Sequence, residues 1–208
     1  MTAADRTTSA RPLVDDAIVE ASRRALARDG LAHATLERIA EEAGLSRVTL
    51  YRRGVTREVI LAAVADRIVD ECRAGLWGAL TARGSGAARL RRGLSAVCEV
   101  VERSREPVLA LSEPLGAGDG SAARQAPPFA RRELTEPLER LLRDGAADGS
   151  LRHVDAPEAA VALLNLVAWM YVHLRTGARR SARRARALTL DLALHGVAAE
   201  RRQRGRQL

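Results

Sequence analysis

The sequence contains no lysine: all 34 of its basic residues are arginine. Arginine at any one position is therefore no sign that its forked, bidentate geometry was selected there. Aromatic residues are scarce as well, with one Phe, two Trp and two Tyr among 208 residues. A core made almost without them must be built from Ala, Leu and Val, and Ala and Leu are strong helix formers. No stretch alternates apolar and polar residues as a half-buried strand would, so an all-α protein is expected. Cysteine is limited to Cys72 and Cys98, with no C-x-x-C pair. That excludes a disulfide framework and fits a reducing, cytoplasmic compartment. The longest apolar run, residues 159–174, is interrupted by Asn165 and His173 and is shorter than the ~20 residues a membrane span needs. A buried helix, without membrane association, is the expectation. Residues 1–12 hold no apolar stretch, so no signal peptide is expected.

What is present is a hydrophobic fraction of 47%, enough for a core, and a net charge of +8. The charge does not by itself argue for nucleic acid, because its distribution is uneven. Residues 1–60 carry ten Arg against nine acids, whereas residues 179–208 carry nine Arg against Asp191 and Glu200. Only local placement can point to a polyanionic partner. The tail around Arg201–Arg206 reads as solvated.

Periodicity divides the chain into about nine helices. Val14, Ile18, Ala21 and Ala25 share one face of the first, which Gly30 ends. Thr35 caps a second that Gly44 breaks, Ser46 caps a third that ends at Gly54, and a fourth starts at Thr56. Ile60, Val64, Ile68, Cys72 and Leu76 form a single stripe on that fourth helix, which therefore extends to about Leu80. Helices follow over 87–104, 107–115, 129–144, 156–175 and 178 to about 203. Asp155 caps the eighth, with Pro157 just inside it. Residues 116–128 read as a loop, and their Gly-x-Gly neither follows a strand nor opens a helix.

The densest chemistry lies in residues 36–53. Two short helices must cross steeply through a turn of a few residues, and Gly44 supplies a residue at positive φ at little cost. Ala40 permits close approach, and Ile39, Ala43, Leu45 and Leu50 form a small core with the first helix. Arg47, Val48, Thr49, Tyr51 and Arg52 are left facing outward on a short helix that fits a major groove. Residues 44–57 hold four Arg and no acid, so the field is positive where a phosphate backbone would lie. The bland reading is a helical hairpin with a solvated polar face; the paired caps at Thr35 and Ser46 and the acid-free run favour the DNA-binding one.

The text "GLAHATLERIAEEAGLSRVTLYRR", residues 30–53, followed by a long helix, resembles the tetracycline-repressor (TetR/AcrR) family of transcriptional regulators. In that family the recognition helix ends threonine-leucine-tyrosine, a variable residue, histidine and phenylalanine, then a proline or similar residue, serine, lysine and glutamate. Thr49, Leu50, Tyr51 and Glu58 match. Arg53 stands at the histidine, Gly54 at the phenylalanine, Val55 at the proline, Thr56 at the serine and Arg57 at the lysine. The resemblance implies a helix-turn-helix domain over residues 1–55 and a helical ligand-binding and dimerisation domain over 56–208. It implies phosphate contacts from Thr35, Tyr51 and Arg57, with a donor kept at Arg53. Arg47, Thr49 and Arg52 look like base readers beside Ser46, and Val48 a thymine-methyl contact. Arg6 and Arg11 are either an arm reaching the backbone or a tail. Gly54 removes the family's apolar contact and is expected to act as a left-handed cap.

The resemblance further implies a homodimer through helices eight and nine and a small-molecule effector that releases the protein from a palindromic DNA operator. Asn165, Trp169 and His173 share one face of helix eight and, with Trp77, are candidate effector contacts; the bland reading makes Trp77 and Trp169 plain core and His173 a residue satisfied near a helix end. His33, His153 and His195 lack ligand spacing, so no metal is expected, nor any cofactor. No nucleophile elbow, phosphate loop, paired carboxylates or metal triad argues for an enzyme. A constitutive DNA binder, an activator, or an interaction module that no longer binds DNA remain the alternatives.

Overall fold

The computed structural model describes residues 14–111 and 128–197; the arginines at 6, 11 and 201–206, positions 112–115 of the expected sixth helix, 116–127 of the loop expected over 116–128, and the expected end of the ninth helix beyond 197 lie outside that range. The described residues form nine α-helices and no strand. In order they are α1 (Asp16–His33), α2 (Leu36–Glu42), α3 (Arg47–Arg52), α4 (Arg57–Leu80), α5 (Gly86–Arg103), α6 (Arg105–Ala110), α7 (Arg132–Ala147), α8 (Ala156–Thr176) and α9 (Ala182–His195), with a 3-10 turn, Pro128–Ala130, ahead of α7. The chain divides into two compact units, residues 1–64 and 65–208. The division falls inside α4 rather than ahead of it.

In the first unit, Asp15 caps α1 by accepting from the Ile18 amide at 3.1 Å. Gly30 leaves helical geometry at φ +71°, where the sequence ends that helix, although one further turn follows. Ile18, Ala21 and Ala25 are fully buried, and Ile39, Ala40, Leu50 and Val55 close the core around them. Ala43 and Leu45, expected inside, are only half-buried, because they flank the Gly44 turn instead of facing α1. Outside this core, Arg24 and Arg28 of α1 each reach Glu42 of α2 at 2.8 Å. These guanidiniums, Arg24 first, hold the Glu42 carboxyl below the usual carboxylate range.

In the second unit, α5, α7, α8 and α9 pack on one another around Leu90, Leu94, Leu134, Leu138, Leu141, Leu164, Val167 and Tyr171. α5 crosses α7 so closely that a Cβ on Gly86 would fall 2.2 Å from the Gly145 Cα. Asp148 accepts from the Gly86 amide at 2.6 Å and Ser150 from the Ala87 amide at 2.9 Å, so the turn after α7 caps α5. Both cysteine thiols are buried, unpaired and pushed up to about 12 by desolvation, which makes them inert packing groups.

A carboxylate that sequence periodicity does not single out ties α5 to α8. Glu102 accepts from Tyr171 Oη and from Arg175 Nε and Nη2, each at 2.8 Å. The Arg175 guanidinium, first among its neighbours, lowers the Glu102 pKa. Burial and this carboxylate push the Tyr171 phenol up to about 12.

The seventh and ninth helices depart from expectation at their ends. α7 starts at Arg132 instead of 129 because Phe129, 1% exposed, is taken up in the 3-10 turn. α9 starts at Ala182 instead of 178, with Ser181 as its cap, because Arg179 takes a left-handed φ of +48°. Its described end is His195, followed by a turn at 196–197.

Candidate nucleic-acid interface

α3 is six residues long, too short to hold its shape by propensity alone. Its ends are fixed chemically. Ser46 Oγ accepts from the Thr49 amide at 3.1 Å and lies 2.8 Å from Thr49 Oγ1. At the other end Gly54 takes φ +68°, the Gly54 amide donates to the Tyr51 carbonyl at 2.9 Å and the Val55 amide donates to that of Leu50 at 3.0 Å. That is a Schellman cap, so the glycine at the family's phenylalanine position serves as the expected left-handed cap. The same pattern closes α2: Gly44 at φ +67°, its amide on Glu41 at 3.0 Å, and the Leu45 amide on Ala40 at 2.8 Å. At the start of α2, Thr35 Oγ1 accepts from the Arg38 amide at 3.3 Å, and Thr56 Oγ1 accepts from the Val59 amide at the start of α4.

Leu50, 1% exposed, is the buried anchor of α3. The rest of the helix faces solvent. Val48 is 64% and Tyr51 60% exposed, Arg47 and Arg52 are exposed, and Thr49 is half-buried at the cap. An exposed valine and tyrosine side by side on a helix with no acid is an unusual solvent face. Arg47 lies over the Tyr51 ring, 5.4 Å from guanidinium carbon to ring centroid, and its Nη2 approaches Tyr51 Oη at 3.5 Å. This cation–π contact holds both side chains over one side of the helix.

Of the nine candidates, Ser46, Arg47, Val48, Thr49, Tyr51 and Arg52 thus come together on α3. Thr35 is exposed at the α2 N-terminus and Arg57 half-buried at the start of α4. Arg53 differs from the rest: its Nη1 is 3.2 Å from Asp15 Oδ2. One carboxylate therefore caps α1 with one oxygen and holds the end of α3 with the other. Asp15 is the residue that sequence reading missed; its local signal was that of an ordinary helix start.

The effector candidates are more scattered. Asn165 Nδ2 donates to the Val161 carbonyl at 2.9 Å and His173 Nδ1 donates to the Trp169 carbonyl at 2.8 Å, so both side chains are turned along their own helix. Trp169 meets Phe129 edge to face, with ring centroids 5.8 Å apart. Trp77 is 49% exposed on α4. With Leu166 at 42%, Asn165, Trp169 and His173 occupy the side of α8 opposite its buried Leu164, Val167, Ala168 and Tyr171. α9 exposes Leu188 and Leu192 at 42% and 50%. α8 is long and apolar enough to cross a membrane by length and composition alone, but one side of it is the core of the second unit. No His, Cys, Asp and Glu group that could hold a metal occurs among the described residues.

Comparison with known proteins identifies both units. Residues 18–64 match the family model described as bacterial regulatory proteins, tetR family, and residues 83–197 that of the tetracyclin repressor-like C-terminal domain. No curated relative matches the chain. Among solved structures, the TetR family transcriptional regulator PfmR from Thermus thermophilus is 24% identical, with 87% of this chain and 98% of that one covered at a TM-score of 0.65. A TetR/AcrR regulator from Thermobifida fusca is also 24% identical, covering 86% and 95% at 0.66. AibR, solved in complex with isovaleryl coenzyme A and operator DNA, is 21% identical, covering 85% and 95% at 0.62.

Proposed function

This chain belongs to the tetR family of bacterial regulatory proteins and is a DNA-binding transcriptional regulator, and we propose that it is a cytoplasmic homodimeric repressor which a small-molecule effector releases from a palindromic operator. The observation that carries the DNA reading is the outward face of α3: Arg47, Val48, Tyr51 and Arg52 exposed on a helix capped at both ends, with no acid from residue 44 to 57. Arg47, Thr49 and Arg52 read base edges, Val48 meets a thymine methyl, Thr35, Tyr51 and Arg57 bind phosphates, and Ser46 caps the helix at the DNA face. Arg53 holds the phosphate-binding end of α3 against Asp15 and reaches DNA only by leaving that carboxylate. We assign the protein no catalytic role.

The dimer reading draws on the apolar side chains left exposed on α8 and α9. Leu166, Leu188 and Leu192 are 42%, 42% and 50% exposed among the described residues, and an isologous interface would cover each of them on both protomers. In such a dimer the two α3 helices sit about 34–36 Å apart to enter successive major grooves. The effector reading is supported by the relative solved with both isovaleryl coenzyme A and operator DNA. For this chain Trp77, Asn165, Trp169 and His173 remain the proposed contacts; the last three share the outward side of α8 with Leu166, so on this reading the effector sits beside the dimer seam. α4 contributes its first turns to residues 1–64 and its remainder to residues 65–208. An effector that tilts it changes the α3 separation, with a coupling on the usual scale of ~1–3 kcal/mol.

Selection of bound duplexes from a random pool tests this reading. The expected outcome is an inverted repeat with half-sites about one helical turn apart, or a multiple of one turn. Recovery of sequences with no common motif would leave a protein that binds no operator. A recovered operator then serves to screen effectors: linkage requires that operator DNA weaken the effector by the factor by which the effector weakens operator binding. Equal effector affinity with and without operator would make the protein a constitutive DNA binder.

A further inference from the structure

The arginines of the second unit divide by what they face. Many end on a carboxylate: Arg89 on Asp144, Arg103 on Glu71, Arg131 on Asp66, Arg143 on Glu139 and Arg175 on Glu102. An open cleft of about 640 Å³ between α5 and α9 is different. Arg91 and Arg92 line it from α5, Arg183 and Arg186 from α9. Arg91 and Arg183 meet no acceptor among the described residues. Arg92 reaches only the Arg83 carbonyl, at 3.5 Å. Arg186 alone finds an acid, Glu99 at 3.0 Å, and its buried Nε has no partner. Four guanidiniums thus share one concavity against one carboxylate, an arrangement that repels itself until an anion enters.

Ala88, Ser95, Ala187 and Leu190 complete the lining of the cleft, with Leu190 buried and the two alanines exposed. Its volume lies within the roughly 300–1,000 Å³ of small-molecule sites. On α9 the lining residues 183, 186, 187 and 190 recur at helical spacing on one face. Leu188 and Leu192 point to a different face, so a dimer built on those leucines leaves the cleft open.

We infer that this cleft binds a small organic phosphate, with the phosphate held by Arg91, Arg92 and Arg183 and an apolar body resting on Ala88, Ala187 and Leu190. Guanidinium and phosphate match as fork to fork, and the bonds are charge-assisted. The site is separate from the α3 face and from the effector candidates on α8, and it does not depend on the DNA reading.

Calorimetry on the full-length chain tests it with three probes: hexyl phosphate, inorganic phosphate and 1-hexanol. Hexyl phosphate is expected to bind at least tenfold more tightly than inorganic phosphate, and hexanol not at all. Arg91→Glu combined with Arg183→Glu should weaken hexyl phosphate at least tenfold. Arg140→Glu, at an exposed α7 position outside the cleft, should leave it unchanged. So should Arg47→Ala with Arg52→Ala, which removes base-reading arginines of α3. If the glutamate pair lowers the helical circular dichroism, Arg91→Gln with Arg183→Gln replaces it. Binding that survives the cleft variants, falls equally with Arg140→Glu, or is lost in the α3 variant would overturn the assignment.

Discussion

α3 and the α8–α9 pair both leave large side chains in solvent, but of opposite kinds. α3 exposes cations, a valine and a tyrosine around a single buried leucine, Leu50; α8 and α9 expose Leu166, Leu188 and Leu192 over a buried side made of Leu164, Val167, Tyr171, Ala185 and Ala193. A short helix fixed by caps at both ends can carry a largely polar outer face, because its shape does not depend on what covers it. Fully burying an exposed leucine is worth roughly 1.5–3 kcal/mol, and these three, about half covered already, leave part of that gain to another surface. The first arrangement suits a polyanion and the second suits another protein surface.

The largest expected effect breaks the apolar side of this contrast. Leu166→Glu with Leu192→Glu places four charges in a two-fold interface and should convert the dimer to monomer, lowering operator affinity at least a hundredfold. Sedimentation at micromolar concentration together with a gel-shift titration reads both. A monomeric wild type with full operator affinity would remove the dimer from the account. Val167, on the same helix, is wholly buried in its own chain, so a charge there would test folding instead.

Next in size is the anchor. Leu50→Ala should cost about 2–5 kcal/mol, the usual penalty for truncating a buried leucine, and should detach α3 while leaving residues 65–208 folded. Hydrogen exchange localised to residues 36–55 would show it; uniform protection would mean that the caps alone hold α3. A smaller effect is expected at Glu102. Its pKa is depressed in the folded chain by Arg175, so its stabilisation is full above the unfolded value of about 4.3 and is lost as pH falls through the lower folded value. Glu102→Gln should therefore lower the melting temperature at pH 7, with the gap to wild type closing below about pH 4. A gap independent of pH would assign the effect to the Tyr171 hydrogen bond alone.

Local chemistry explains how much could be read in advance. Thr35, Ser46, Thr56 and Asp155 are caps whose partners lie three residues away, and Gly44 and Gly54 are turns whose need for positive φ is carried by the glycine itself. These made the helix-turn-helix legible down to single residues. Long-range pairing is silent in such patterns. The Arg53–Asp15 contact joins residues 38 positions apart, and the α5–α9 cleft brings together arginines from opposite ends of the second unit. Its one sequence signal is the excess of arginine over residues 179–208, of which only Arg201–Arg206 is assigned, to a solvated tail. Which side of α8 turns outward was equally hidden, since that helix is apolar nearly all round.

One set of titrations at fixed salt tests most directly whether the exposed side chains of α3 read DNA. The selected operator and its single-base variants are titrated against wild type, Arg47→Ala, Arg52→Ala, Tyr51→Phe and Arg57→Ala. Arg47→Ala and Arg52→Ala should each relax preference at one base pair per half-site by ~1–3 kcal/mol, the worth of a good bidentate contact. Tyr51→Phe and Arg57→Ala should weaken all sequences alike, because phosphate contacts position without specifying. Five indistinguishable titration series would contradict the account.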